Sequence, residues 1–390
     1  MWLIDPVDAF ARYRAVYANI ASPYIRSIDF SSAGFGDVQT PSVGLDPQID
    51  AALNAGFHPS GRYFALMSTS LTARRLLIWS FSVGGGLGSQ LVAQDVSAVI
   101  AAGDMGGIAW SPDGRYVAVF GDLVLASGVP GLRVYPFDVT SGTLSAAITV
   151  PALGNIRIRV AAWHPSGNWI VLISDTAGPG TFYTYAWTPG VFGAQSDTGP
   201  NVPNVNQAKW NPVYMDRCAV IATGVKRVRQ FNPVTGAWTG HASNAPPTPP
   251  NNFGQDNWVW SPDGLWLAWP TQTDFTGDNF LYAVRYDSVS GDFTGAFQSI
   301  FIGGAFVDAI DEDTAQTSVW VDWSADGRWI FGCYVYPPLG YAAEWDGTKV
   351  LRLVPAGALP PPEVADTVGP LTGRQPAWHE VWVATVAGDD

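Results

Sequence analysis

Lysine is almost missing from this chain: Lys209, Lys226 and Lys349 stand against 17 arginines in 390 residues. Acidic residues outnumber basic ones 33 to 20, for a net charge of −13. A surface so poor in cations does not suit a phosphate backbone, so nucleic acid is not expected as a partner. Cysteine is equally scarce. Cys218 and Cys333 lie 115 positions apart, which fits neither a disulfide framework nor a metal-ligand spacing, and both are expected to be buried thiols. No apolar run reaches the roughly 18 residues that a membrane helix requires, so no membrane partner is expected. Asp5, Pro6, Asp8, Arg12 and Arg14 interrupt the first 20 residues, which excludes the pattern of an export signal and leads to an expectation of cytoplasmic synthesis. Catalytic signatures are missing too. There is no G-x-S-x-G elbow and no phosphate-cradling G-x-x-x-x-G-K-[ST] loop, and His379-Glu380 is followed by Val383 where a second zinc ligand would stand. The acidic run Asp308, Asp311, Glu312 and Asp313 lacks the spacing of a calcium loop, so no metal and no cofactor are expected.

The chain is rich in hydrophobic residues (47%), with 18 Trp, 42 Gly and 30 Pro. Much of this is concentrated in one recurring segment. It reads GFHPSGRYFALMS from Gly56, AWSPDGRYVAVFG from Ala109, AWHPSGNWIVLIS from Ala162, VWSPDGLWLAWP from Val259 and DWSADGRWIFGCY from Asp322. KWNPVYMDRCAVIA from Lys209 and AWHEVWVATVA from Ala377 are degenerate copies. The aromatic anchors Phe57, Trp110, Trp163, Trp210, Trp260, Trp323 and Trp378 are separated by 53, 53, 47, 50, 63 and 55 residues. A period of this length marks a repeat architecture.

Each copy predicts a β-hairpin. Pro sets the first turn corner, Asp or Ser tolerates the second, and Gly takes the left-handed position that ends the turn. The strand that follows, such as Tyr116 to Phe120, is apolar on both faces and therefore needs a sheet packed on each side. A second hairpin follows every anchor, with first strands such as LLIWSF (76–81), LRVYPFD (132–138) and LYAVRYD (281–287). Two hairpins per repeat make a four-stranded blade.

The expected fold is all-β: a seven-bladed β-propeller of four-stranded antiparallel blades. Only two inner strands remain after Trp378, and an orphan hairpin (24–30 and 35–40) lies near the N-terminus. Pairing of this N-terminal hairpin with the C-terminal strands would close the ring. The W-S-P-D-G-R-Y/W segment resembles the repeat of TolB-type propellers. The endings Phe137-Asp138, Tyr286-Asp287 and Trp345-Asp346 resemble the dipeptide of WD repeats. The resemblance to this superfamily covers residues 24–390. It departs from eukaryotic WD repeats in having Gly-His only at Gly240-His241, and it implies a fold rather than an activity.

Residues 1–23 are expected to form a short N-terminal helix outside the 24–390 propeller domain. Asp5 would cap it, and Phe10, Tyr13 and Tyr17 fall at helical spacing as a docking stripe. The channel mouth offers Arg157, Arg159, Asp256, Asn257, Asp322 and Arg374, each within a few residues of an anchor. Most Trp residues are accounted for as blade packing. With no catalytic set in the sequence, the leading expectation is a non-enzymatic scaffold whose partners are other subunits of an assembly, a tailed-phage virion being one version. The alternatives are a carbohydrate-binding or glycan-processing propeller, with a glycan as partner, and a hydrolase or lyase using channel-mouth acid/base residues.

Overall fold

A computed structural model gives the architecture. It describes residues 13–18, 25–31, 34–39, 52–69, 74–82, 85–97, 100, 106–121, 131–153, 156–174, 181–197, 205–222, 225–241, 258–272, 279–301, 319–324, 326–334, 339–348, 350–358 and 384–387. All the described regular structure is β. Six four-stranded antiparallel blades are each built from consecutive strands. Their inner strands are Ala52–Phe57, Gly106–Trp110, Ile158–Trp163, Val205–Trp210, Val259–Trp260 and Val319–Trp323, each ending on an anchor aromatic. We number the blades 1 to 6 in that order. Each inner strand packs beside the next, so together they surround a central channel. The fold is a β-propeller.

Six blades, rather than the expected seven, are of this repeat type. The chain ends meet instead in a composite sheet, in the order Ala384–Ala387, Tyr13–Ala18, Ile25–Ser31, Gly34–Gln39. The orphan hairpin is present at Ile25–Ser31 and Gly34–Gln39, but the division between the two ends is one strand plus three, not two plus two. Among the described residues there is no N-terminal helix. Tyr13 and Tyr17 lie in a strand paired on both sides, Tyr13 opposite Phe30 and Ala387, and Tyr17 opposite Arg26. Phe10 lies outside the described residues. YRAVYA is rich in aromatic and β-branched residues, and two open sheet edges outweigh an ambiguous helical period. The composite sheet touches blades 6 and 1: Gly34–Gln39 packs on Val350–Ala358, and Ile25–Ser31 on Gly86–Asp95. Phe30 seals the blade 6 side, edge-on to Trp329 at 4.6 Å and to Phe331 at 5.0 Å.

The core lies between blades, as strands apolar on both faces require. In the second strand of blade 2, Val117 and Val119 pack with Ala65, Met67 and Ile78 of blade 1. The alternate residues Ala118 and Phe120 pack with Ile158, Ala161 and Ile170 of blade 3. Burial of each such valine contributes about 1.5–3 kcal/mol. Tryptophan fills the wider gaps. Trp79, Trp258, Trp269 and Trp329 are completely buried, and Trp258 stacks on Trp269 at 4.9 Å.

Candidate active site in the central channel

The residues flanking each anchor staple the blades together and fix what the channel displays. Trp110 Nε1–H donates to the Gly56 carbonyl at 3.3 Å, Trp163 to Ala109 at 3.3 Å, and Trp260 to Lys209 at 3.0 Å. In these three the acceptor is the residue before the anchor of the preceding blade, whereas the indole nitrogen of Trp210 is buried without a hydrogen-bond partner among the described residues. The residue after the anchor reaches forward. His58 Nε2–H donates to the Gly114 carbonyl at 2.9 Å, His164 Nε2–H to Met215 at 2.8 Å, and Asn211 Nδ2–H to Gly264 at 2.8 Å. His58 Nδ1 accepts from the Ser60 backbone N–H at 3.0 Å, which fixes the neutral Nε2–H tautomer. Burial holds the pKa of both histidines below its ordinary value. In blades 2, 5 and 6 the forward residue is a serine that closes on its own turn: Ser111 Oγ–H donates to Asp113 at 2.6 Å, Ser324 to Asp326 at 2.5 Å, and Ser261 to Asp263.

The positions immediately before the anchors are Gly56, Ala109, Ala162, Lys209, Val259 and Asp322. Four are small or apolar, and the other two carry opposite charges. Lys209 is exposed to solvent. Asp322, two blades away, is half-buried and within electrostatic reach of Lys209. Desolvation pushes the Asp322 carboxyl up to about 6, even though the Lys209 charge and the Trp323 N–H pull it down. Desolvation likewise lowers the Lys209 pKa, against the attraction of Asp322. The result is a carboxyl whose pKa is raised toward neutral pH within electrostatic reach of a cation.

Of the residues expected at the channel mouth, the structure brings Asp322 into this pair. Arg159 lies on the inner strand of blade 3 and Arg157 just ahead of it, both half-buried. Asp256, Asn257 and Arg374 lie outside the described residues, as do Trp378 and the acidic run 308–313. Sequence reasoning passed over Lys209, although its place before an anchor was a usable signal: aligning the repeats on their aromatic puts Lys209 and Asp322 in the same column. Among the described residues, no group of three or more His, Cys, Asp or Glu could hold a metal ion, and no helix is long and apolar enough to cross a membrane. Cys218 is a buried free thiol whose pKa burial pushes up, so it is not a nucleophile here.

No protein-family model and no curated protein sequence matches the chain. Solved structures do. The periplasmic gluconolactonase of Pseudomonas aeruginosa is similar at a TM-score of 0.60 and 16% identity, over 89% of this chain and 97% of that one. A Bacteroides uniformis protein provisionally described as a 6-phosphogluconolactonase gives 0.62 and 14%, over 89% and 98%. A Bacteroides fragilis protein with the same provisional description gives 0.60 and 13%, over 88% and 92%. At these identities the likeness establishes a shared propeller fold. It also corrects the expectation of a non-enzymatic scaffold or virion component. These three propellers, each matched along more than nine-tenths of its length, are described as lactonases rather than as scaffold or virion proteins.

Proposed function

We propose that the protein is a carbohydrate-processing hydrolase that opens sugar lactones at the channel mouth. The observation that carries this reading is the Lys209–Asp322 pair, set in an otherwise small-residue ring. The similar gluconolactonase supports the choice of substrate class. In the reaction, the Asp322 carboxylate takes a proton from water as the water oxygen bonds to the lactone carbonyl carbon. The oxyanion that develops faces the Lys209 ammonium. The ring C–O bond then breaks, and Asp322 returns the proton to the departing alkoxide, giving the open-chain hydroxy acid. A carboxyl near pKa 6 suits this cycle, being mostly ionised at neutral pH and still basic enough to accept a proton. We also read the composite sheet as a further blade of the same ring, lying between blades 6 and 1 and making seven in all.

The test is acid release from glucono-δ-lactone and related sugar lactones, measured above the uncatalysed rate. Acceleration by the wild type that is lost in Asp322→Asn and reduced in Lys209→Met supports the reading. No acceleration with any lactone in the panel overturns it.

A further inference from the structure

Inner strands of this ring are not regular. In blades 1, 3 and 4 the register slips by one residue at the same place, four positions before the anchor: between Ala52 and Asn54, Ile158 and Val160, and Val205 and Gln207. The inserted residues are Leu53, Arg159 and Asn206. A bulge re-aims the side chain it carries, and in blade 3 the flanking residues show where. Ile158, Ala161 and Trp163 pack toward blade 2, while Val160 packs toward blade 4. Arg159 is the extra residue between an Ile committed to one neighbour and a Val committed to the other. Neither blade interface has a place for it, and the inner edge of the strand faces the channel.

We infer that Arg159 is a specificity-determining residue that binds an oxyanion on the substrate, a phosphoester or a carboxylate, while the lactone ring lies at Lys209 and Asp322. The inference rests on the hydrolase reading above and narrows its substrate to an anionic sugar. Arg159 lies three positions before Ala162, which holds the same place before its anchor as Lys209 does in blade 4. Along a strand this is about 10 Å, near the length of a six-carbon sugar acid. Arg159 has an interaction within the protein, and its planar fork of five N–H donors can serve a ligand oxyanion as well. Arg157 stands two residues further out, also half-buried. In a chain with only 20 basic residues and a charge of −13, Arg159 and Lys209 on neighbouring inner strands, with Arg157 just ahead of one of them, are a local concentration that favours an anion.

Binding without turnover separates this inference from the reading it rests on. Glucose 6-phosphate, glucuronate and glucose are titrated calorimetrically into wild type, Arg159→Gln and Asp322→Asn. Both anions, or one, should bind wild type and Asp322→Asn at least ten-fold more tightly than glucose. Arg159→Gln should lose that margin while keeping the wild-type melting temperature. Preference for the phosphate or for the carboxylate identifies the source of the oxyanion. Equal binding of anions by Arg159→Gln and wild type, or no preference for anions in wild type, overturns the role of Arg159. If anion binding depends on Arg159 but no lactone is hydrolysed, the role stands and the hydrolase reading alone fails.

Discussion

Replacing Gly114 by Ala tests the forward staple directly. Gly114 has φ +71°, and a methyl group there would land on the imidazole of His58, the group that donates to the Gly114 carbonyl. Gly167 sits at the matching turn position of blade 3 with φ +74°, but nothing lies within 4 Å of its would-be Cβ. Both substitutions incur the left-handed penalty of about 1–2 kcal/mol. Only at Gly114 must the methyl also displace a buried ring that is held on both nitrogens, which adds about 1–3 kcal/mol for the polar group left unpaired. Gly114→Ala should therefore lower the unfolding free energy by about 2–5 kcal/mol and Gly167→Ala by about 1–2 kcal/mol. Urea unfolding of the two variants gives the comparison. Adding His58→Ala to Gly114→Ala should cost less than the sum of the single changes, because the first removes what the second collides with. Equal losses at the two glycines, together with strict additivity in the double variant, would refute the staple.

Other expectations concern pH and the channel. Because Asp322 must be ionised to act as a base, lactone hydrolysis should rise as pH climbs through about 6, and a profile flat from pH 5 to 8 would remove Asp322 from the mechanism. His58 and His164 have folded pKa values below the ordinary 6.5, so the unfolded chain binds more protons in acid. Their contribution to stability is complete above about pH 6.5 and is lost as pH falls through their folded values. Asp322 works in the opposite direction: its raised pKa favours the folded state below about 4, and that contribution fades as pH rises through about 6. His58→Asn and His164→Asn should therefore flatten the acid loss of melting temperature without lowering stability at pH 8. Asn211 shows that an amide can fill this position, since its Oδ1 accepts from Val213 N–H at 3.0 Å while its Nδ2–H reaches blade 5. Trp163→Phe removes the donation to Ala109 and also part of a buried ring system, and should cost more than the roughly 0.5–1.5 kcal/mol of the hydrogen bond alone by urea unfolding.

The blades were legible in the sequence because one short segment carries several local signals together. The Pro-Asp-Gly turn, the anchor aromatic and a strand apolar on both faces all agree in AWSPDGRYVAVFG, and the structure puts the turn's Gly114 in the left-handed region. The N-terminal strand was not legible. Phe10, Tyr13 and Tyr17 satisfy a helical period, and nothing local reveals that the open edges beside Tyr13–Ala18 belong to residues more than 350 positions apart in Ile25–Ser31 and Ala384–Ala387. The channel was partly legible. Asp322 stood out by its place beside an anchor, but its raised pKa comes from desolvation, which outweighs the opposing pull of Lys209 two blades away, and strand pattern encodes neither. The bulge at Arg159 was invisible as well, because an extra residue leaves no mark on a strand that is apolar on both sides.

Six of the inter-blade hydrogen bonds end on a backbone carbonyl: Gly56, Ala109 and Lys209 receive the anchors, and Gly114, Met215 and Gly264 receive the forward residues. A main-chain acceptor is present whatever side chain its residue carries. Glycine, methionine and lysine therefore serve equally well as partners, and a neighbouring blade can drift in sequence without unfastening the joint. A gene encoding such a ring can copy, lose or rewrite a repeat and still produce blades that recognise one another. That leaves the channel face of the same residues free to be rewritten for chemistry.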